Sequence, residues 1–530
     1  MTQQACIIQQ LSVQFAFESL FENLNFQLPF GQCSSLIGRN GQGKSILMSL
    51  LTQSLLPTYA TGFITWQTPF AYLPQMQRLN VTTIAEALDI QHLHLCFTRI
   101  EHGIADFKDY EIVENLWHLP SEWQTLLEHA GLPTNLDTII YHLSEGQKTK
   151  LALCRLFLLK DHYLLLDEPS NHLDQNSQQW LIDKIQNHPA GCLVISHDRH
   201  LLDQIHHTFV LNNFGLTEYH CNYSQYKQLS DLELEALQYE IKQQKHDLVK
   251  LEKYKSTQLE KSAHKRKIFE KTKQLRKEPD KFILHAKKTQ AQNAEARLNQ
   301  QFLNQKSLKQ QIMTEKKTLI EKIKPQSFSF DVAQVKNMEI LRLKHINLPH
   351  CQLNPISLSL NSNEKIHLTG KNGIGKSILL KFIDQTSSST PKIFKNVNSF
   401  YLDQNFSFLK MHLNAIENLR QFNTKLTDQE FRTQLGKIRL RTDKALMPIS
   451  QLSGGEQLKI ALLCIALSQN PIELLLLDEP ENHLDIDSKI LFASAIRSFT
   501  GAIILVSHDS YFVKECGTSE HFSLDDFKIA

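Results

Sequence analysis

A chain of 530 residues that is 41% apolar and 21% charged has material for two to four packed domains. Its net charge is only +2, and its nine cysteines are scattered without a C-x-x-C pair, which argues against a disulfide or zinc framework. No apolar run approaches the ~20 residues of a membrane span. The N-terminal MTQQACIIQQ lacks the basic-then-apolar form of a secretion signal, so a cytoplasmic protein is expected.

Residues 6–37 read as short alternating strands that end in the apolar run CSSLIG. Gly38-Arg39-Asn40-Gly41-Gln42-Gly43-Lys44-Ser45 follows, a complete G-x-x-x-x-G-K-[ST], and then the helical ILMSLL. A strand, this loop and a helix are the context that a phosphate-binding loop requires. The glycines let backbone N–H groups turn inward around phosphate oxygens, and the helix N-terminus adds positive potential. Lys44 is expected to bridge the β- and γ-phosphates, and Ser45 to ligate Mg²⁺. Downstream come Tyr72-Leu73-Pro74-Gln75, then Leu143-Ser144-Glu145-Gly146-Gln147, then YLLLDEP at 163–169 and Ser196-His197-Asp198.

The next stretch, 231–324, has no glycine and one proline, Pro279, so it reads as two long helices joined in a hairpin near that residue. It holds 23 lysines and arginines against 13 acidic residues, a net of +10, which leaves −8 for the rest of the chain. The densest cluster flanks the turn, from Lys261 through Lys265, Arg266 and Lys267 to Lys288. Clustered cations of this kind are the electrostatic footprint of a nucleic-acid contact.

After the hairpin the first series returns in register. Gly370-Lys371-Asn372-Gly373-Ile374-Gly375-Lys376-Ser377 is a second phosphate-binding loop, followed by Tyr401-Leu402-Asp403-Gln404, Leu452-Ser453-Gly454-Gly455-Glu456, LLLLDEP at 474–480 and Ser507-His508-Asp509. Glu168 stands 29 residues before His197, and Glu479 stands 29 residues before His508. Five ordered motifs, each found twice, mean an internal duplication of one nucleotide-binding unit.

These motifs resemble those of the ATP-binding cassette superfamily, over both halves of the chain. The resemblance implies an α/β fold: two P-loop nucleotide-binding domains, 1–228 and 329–530, joined by a basic α-helical linker, 229–328. It implies Mg²⁺ ligation by Ser45, Asp167, Ser377 and Asp478. Glu168 and Glu479 would polarise the attacking water, with Gln75, Gln404, His197 and His508 completing the catalytic sets. ATP would lie on Gly38, Asn40, Gly41, Gly43 and Lys44 in one site, and on Gly370, Asn372, Gly373, Gly375 and Lys376 in the other. The signature of each cassette caps the nucleotide of its partner, so Ser453 and Gly455 would complete the first site and Ser144 and Gly146 the second. The protein would be a monomer whose two cassettes pair within one chain.

Two cassettes fused through a charged hairpin, with no membrane segment, are similar to the ABC-F family. Leu216-Thr217-Glu218-Tyr219-His220-Cys221-Asn222-Tyr223-Ser224-Gln225-Tyr226 resembles that family's Tyr-x-Gly-Asn-Tyr-Ser-x-Tyr, with His220 and Cys221 where glycine is usual. This resemblance implies a ribosomal partner, rRNA or tRNA, met by the hairpin. The role would be that of a translation factor or of a ribosome-protecting antibiotic-resistance factor. The alternatives are the ATPase subunit of a transporter or a DNA-associated ATPase.

Some positions depart from the pattern. Glu145 replaces a glycine in the first signature, and no aromatic stands near His350 and Cys351 to stack on adenine, whereas Phe15 or Phe17 could serve the first site. Both features rank the second site lower. Gln75 to Ser144 spans 69 residues against 49 for Gln404 to Ser453, so the first cassette carries about 20 extra residues within 90–130, either a short arm or loop drift.

Overall fold

The computed structural model describes residues 3–15, 19–53, 56–74, 81–171, 173–212, 215–275, 296–297, 299–314, 316, 328, 330, 338–349, 351, 353–371, 373–386, 392–440, 443–482 and 484–528. They divide into two compact units. One is Met1–Tyr223 with Gln326–Ala530, and the other is Ser224–Pro325.

In the first unit the duplication seen in the motifs is also a duplication of topology. Strands β1 (Gln4–Gln14), β2 (Ser19–Pro29) and β4 (Ala60–Trp66) form an antiparallel sheet in the order β2-β1-β4. Beside it, β3 (Cys33–Ile37), β5 (Phe70–Leu73), β6 (Tyr163–Asp167), β7 (Cys192–Ile195), β8 (Thr208–Asn212) and β9 (Gly215–Tyr219) are ordered β5-β6-β7-β3-β8-β9. The first five are parallel, and β9 returns antiparallel on β8 as a hairpin.

The second cassette repeats the plan. Strands β10 (Glu339–Ile346), β11 (Ile356–Asn361) and β13 (Ile393–Lys395) are ordered β11-β10-β13. The larger sheet has β12 (Lys365–Thr369), β14 (Ser399–Leu402), β15 (Leu474–Asp478), β16 (Ala502–Val506) and β17 (Glu520–Ser523), ordered β14-β15-β16-β12-β17 and wholly parallel. Parallel strands are covered on both faces, which explains why YLLLD and LLLLD are continuous apolar runs rather than alternating ones. Leu164, Leu165, Leu166, Leu474, Leu476 and Leu477 are completely buried. In open parallel sheets ligands bind beyond the carboxyl ends of the strands. Both phosphate-binding loops and both Asp-Glu pairs lie at those ends.

The extra residues of the first cassette are folded into helices, not loop. Gln91–Glu101, Phe107–Val113 and Leu119–His129 are helical. They close over a core that includes Phe97, Val113, Trp123 and Leu127. Arg99 Nε donates to Asp109 Oδ2 at 2.9 Å, tying the first of these helices to the second.

In the second unit a single helix runs over Tyr223–Leu275, 53 residues or about 80 Å at ~1.5 Å per residue. It starts eight residues before the expected 231, because nothing from Tyr223 to Ser230 breaks a helix. Residues 299–314 are also helical. Lys306 Nζ lies 2.7 Å from Glu252 and Lys309 Nζ 3.3 Å from Asp247, and Lys316 pairs with Glu240. One partner number falls as the other rises, so the two helices run antiparallel. Lys255 Nζ lies 4.4 Å from the ring centroid of Phe302 and fixes the same register. Such exposed pairs add little stability, up to about 1 kcal/mol each. Pro279 and the basic residues from Arg276 to Lys288 lie outside the described residues.

Candidate functional sites

Each site is assembled from the ends of β3, β6 and β7, or of β12, β15 and β16. Gly41 and Gly373 take φ of +82° and +80°, and a Cβ at either would meet open space. Backbone conformation, not crowding, is therefore what demands glycine there. Lys44 is buried, and its Nζ donates to Gly38 O at 2.6 Å and Arg39 O at 3.2 Å. Lys376 Nζ likewise donates to Gly370 O at 2.7 Å. Burial lowers the pKa of both lysines, and the neighbouring carboxylates, Glu168 or Glu479 first, oppose it. Gln75, Asn372, Phe17 and His350 lie outside the described residues.

Asp167 ends β6 with its Oδ1 buried and without a hydrogen-bond partner among the described residues. Burial raises its pKa, and the Ser45 hydroxyl lowers it. A serine hydroxyl beside an orphaned carboxylate oxygen is an oxygen donor set that fits a small hard cation such as Mg²⁺. In the second cassette the Tyr401 hydroxyl donates to Asp478 Oδ2 at 2.7 Å. No sequence motif marks Tyr401 for this contact. The available signal is that Tyr72 and Tyr401 hold the same register beside β6 and β15, opposite Leu165 and Leu476.

The glutamates that follow have a backbone feature no motif announces. Glu168 has φ +53° and Glu479 φ +47°. A non-glycine residue in this region carries strain of about 1–3 kcal/mol and persists only when its surroundings hold it. Here the hold is visible: Glu168 N donates to Ile195 O at 2.9 Å and Glu479 N to Val506 O at 3.0 Å. The left-handed turn swings each side chain off its strand end toward the histidine 29 residues on. His197 Nε2 lies 3.4 Å from Glu168 Oε1, and His508 Nε2 3.3 Å from Glu479 Oε1.

Burial acts differently on the two glutamates. Burial, then Asp167, pushes the Glu168 carboxyl up to about 8, and burial takes His197 down to about 3. Burial thus disfavours the charged form of both groups, so little ion-pair character is expected between them. Glu479 is less buried, and its contact with His508 holds it below the ordinary carboxylate range.

The phosphate-binding loops differ as well. Asn40 N donates to Asp485 Oδ2 at 2.7 Å, and Arg39 Nε to Asp487 Oδ2 at 2.6 Å. A carboxylate of the second cassette therefore takes a backbone N–H that a phosphate oxygen would use. The same Asp485 caps the helix Ile486–Ser498 through Ser488 N at 2.8 Å. The other loop opens on a cleft of about 1120 Å³, where Ser144 and Gly146 of the first cassette face Lys376, Ser377, Gln404, Glu479 and His508 of the second. The residues expected to form a composite site across the cassettes are thus brought together at the second loop. Ser453, its counterpart for the first, is engaged in a capping box with Glu456, just as Ser144 is with Gln147.

One of the two grounds for ranking the second site lower, Glu145, changes in this light. Glu145 is exposed and pairs with Lys148 Nζ at 2.8 Å, outside the residues that line the cleft. Cys351 Sγ sits where a Cβ on Gly375 would meet it at 2.6 Å, and in the first cassette Leu20 abuts Gly43 in the same way. Phe15 stacks on Tyr59, centroids 5.2 Å apart, both partly exposed.

Glu481 is a buried acid that no motif marks; Ser170 is its counterpart. It is hydrogen-bonded to the Ser507 hydroxyl, and its Oε2 has no hydrogen-bond partner among the described residues. Burial raises its carboxyl to about 7. The folded protein thus holds this proton more tightly than the unfolded chain, and stability falls as pH rises from the ordinary carboxylate range to about 7. Thermal melts at pH 5 and pH 8 should show this loss, and Glu481→Gln should reduce it by raising Tm at pH 8. An unchanged difference between the two pH values would place the titration elsewhere.

Comparison with known proteins agrees with this architecture. The family model described as ABC transporter matches residues 21–171 and 353–482. The putative ATP-binding protein YdiF of Bacillus subtilis is 28% identical, over 96% of this chain and 78% of its own length. ABC transporter F family member 2 of Arabidopsis thaliana is 25% identical, over 96% and 75%. The archaeal ribosome recycling factor aABCE1, solved with the stalk protein aP1, has the same fold with TM-score 0.53 and 16% identity, over 96% of this chain and 86% of that one. No helix among the described residues is long and apolar enough to cross a membrane. The chain belongs to the ABC transporter family, as an ATP-binding and ATP-hydrolysing protein with two cassettes in tandem, of the ABC-F type.

Proposed function

We propose that this is a ribosome-associated ATPase in which closure of the two cassettes on ATP positions the basic hairpin against rRNA or tRNA. The observation that carries the ATPase part is the cleft in which Ser144 and Gly146 face Lys376, Glu479 and His508. Glu168 and Glu479 orient water, and each in its carboxylate form takes the proton, held to that task by their left-handed backbone. His197 and His508 hold the glutamates and reach the γ-phosphate. Lys44 and Lys376 exchange their carbonyl contacts for phosphate oxygens. Ser45 with Asp167, and Ser377 with Asp478, are the residues to hold Mg²⁺, which neutralises charge on the phosphates when bound.

The two sites fill in order on this reading. The second loop faces an open cleft, whereas the first must release Asp485 and Asp487 before phosphate can enter. The ribosomal part rests on the net charge of +10 over 231–324 and on the ABC-F arrangement. RNA helices are gripped largely through phosphates and shape. The similar archaeal protein is itself described as a ribosome recycling factor. A translation factor and an antibiotic-resistance factor both fit this placement.

Sucrose-gradient sedimentation with ribosomes tests it. Comigration should be strong with a non-hydrolysable ATP analogue and weak with ADP. Absence from ribosomes with every nucleotide, together with recovery on membranes, would favour a transporter's energy module. Preference for duplex DNA would favour a DNA-associated ATPase.

A further inference from the structure

The β8–β9 hairpin brings together three side chains for which nucleotide chemistry has no use. Its register pairs Thr208 with Tyr219 and Phe209 with Glu218. One step beyond the last pair, His207 falls opposite His220. Side chains two apart on a strand share a face, so Glu218 and His220 lie on the same face, diagonal and opposite to His207. The structure agrees: His207 Nε2 is 2.7 Å from Glu218 Oε1, and His220 Nε2 is 3.8 Å from the same oxygen. The three candidate ligand atoms all lie within 4.8 Å of one another. The imidazoles stack, with centroids 5.1 Å apart and planes 17° from parallel. His220 is 80% exposed, yet it lies over His207 with its Nε2 turned toward the shared carboxylate.

We propose that His207 Nε2, Glu218 Oε1 and His220 Nε2 form a binding site for a borderline divalent cation, Zn²⁺ being the best match. Two imidazoles and one carboxylate suit Zn²⁺ and related transition metals, whereas Ca²⁺ and Mg²⁺ prefer sets made of oxygen alone. Three protein ligands leave a fourth tetrahedral position for water, on the exposed side of His220. Metal–ligand distances of ~2.0–2.2 Å place tetrahedral ligand atoms about 3.4 Å apart, so Glu218 Oε1 must back away from His207 Nε2 by about 0.7 Å while His220 Nε2 moves inward, shifts that the exposed Glu218 and His220 side chains can supply.

A supporting partner is already built. Ser34 Oγ, buried on β3, is 2.7 Å from His207 Nδ1. Metal-bound histidines characteristically donate their second ring N–H to such a partner, which fixes ring and tautomer. A hydroxyl can give or accept. Without metal, Ser34 donates to Nδ1 while Nε2–H serves Glu218. With metal, Nδ1–H donates to Ser34 and the Nε2 lone pair is released, with no movement of the buried ring. The Phe209 ring, 4.8 Å from His207, holds its other edge. The bound ion would fasten residue 220, three residues upstream of the helix that begins at Tyr223, to His207 at the start of β8.

Full-length protein stripped with a chelator and titrated with ZnCl₂ against a chromophoric competitor, without nucleotide, tests the site. Substitution with Co²⁺ reports the geometry through its visible absorption. One tight equivalent is expected, with the Co²⁺ intensity of a tetrahedral site. His220→Ala and Glu218→Gln should each weaken it by at least about tenfold to a hundredfold, the range in which even indirect partners act. His220 is exposed, so folding is preserved, and its variant should keep ATP turnover in metal-free enzyme supplied with Mg²⁺. His207→Gln should abolish binding, but its burial makes it the weaker test. No tight equivalent, or one that survives both His220→Ala and Glu218→Gln, would overturn the site.

Discussion

ATP turnover should fall at least about a hundredfold in the double variant Glu168→Gln, Glu479→Gln, the lower end of what a general base contributes. Glutamine keeps the shape of each side chain and can still receive the backbone N–H of His197, which reaches Glu168 Oε2 at 3.3 Å. It cannot take a proton from water. The phosphate-binding loops are untouched, so ATP should still bind and the cassettes should still close across the cleft that already joins Ser144 to Lys376. Opening requires loss of the γ-phosphate, so the variant should accumulate closed. If the hairpin follows closure, that form stays on ribosomes and stops protein synthesis. Cell-free translation and polysome profiles with stoichiometric variant are the measurements. Strong inhibition with comigration is expected. A variant that binds ATP but neither sediments with ribosomes nor slows synthesis would remove the ribosomal reading and leave the ATPase reading intact.

Charge reversal at Lys265, Arg266 and Lys267 should have the second largest effect. These residues stand at the dense end of the basic segment, and binding to phosphates is strongly salt-dependent. For every phosphate no longer neutralised, the slope of log affinity against log salt should fall by about one, so by about three for the triple variant. Ribosome binding measured over a salt series should show it, with nucleotide binding unchanged. An unaltered slope would mean that the hairpin is a spacer between cassettes rather than an arm.

The chain announces much of this protein locally. Runs such as LLLLD can only be strands buried on both faces, and a segment of 94 residues with one proline and no glycine can only be long helices. The phosphate-binding loops are legible because their chemistry demands glycine and lysine at fixed offsets along the chain. Matched 29-residue spacings connect each glutamate to its histidine before any coordinate is known. What stayed hidden depends on residues that are distant in sequence.

Asp485 reaches Asn40 across 445 positions, and nothing near either residue encodes that meeting. Both sites carry the same Asp-Glu pair, yet burial pushes the Glu168 carboxyl up while the contact with His508 holds Glu479 down, because packing buries one more deeply than the other. The left-handed φ at both glutamates comes from hydrogen bonds to Ile195 and Val506, on strands that reach them only in the folded sheet. His207, Glu218 and His220 look unrelated until a hairpin register sets them on one face. Local propensity and motif chemistry act along the chain, so sequence determined the elements, the duplication and the loops. Burial, charge state and cross-cassette contact act through space, and the tertiary structure alone decided them.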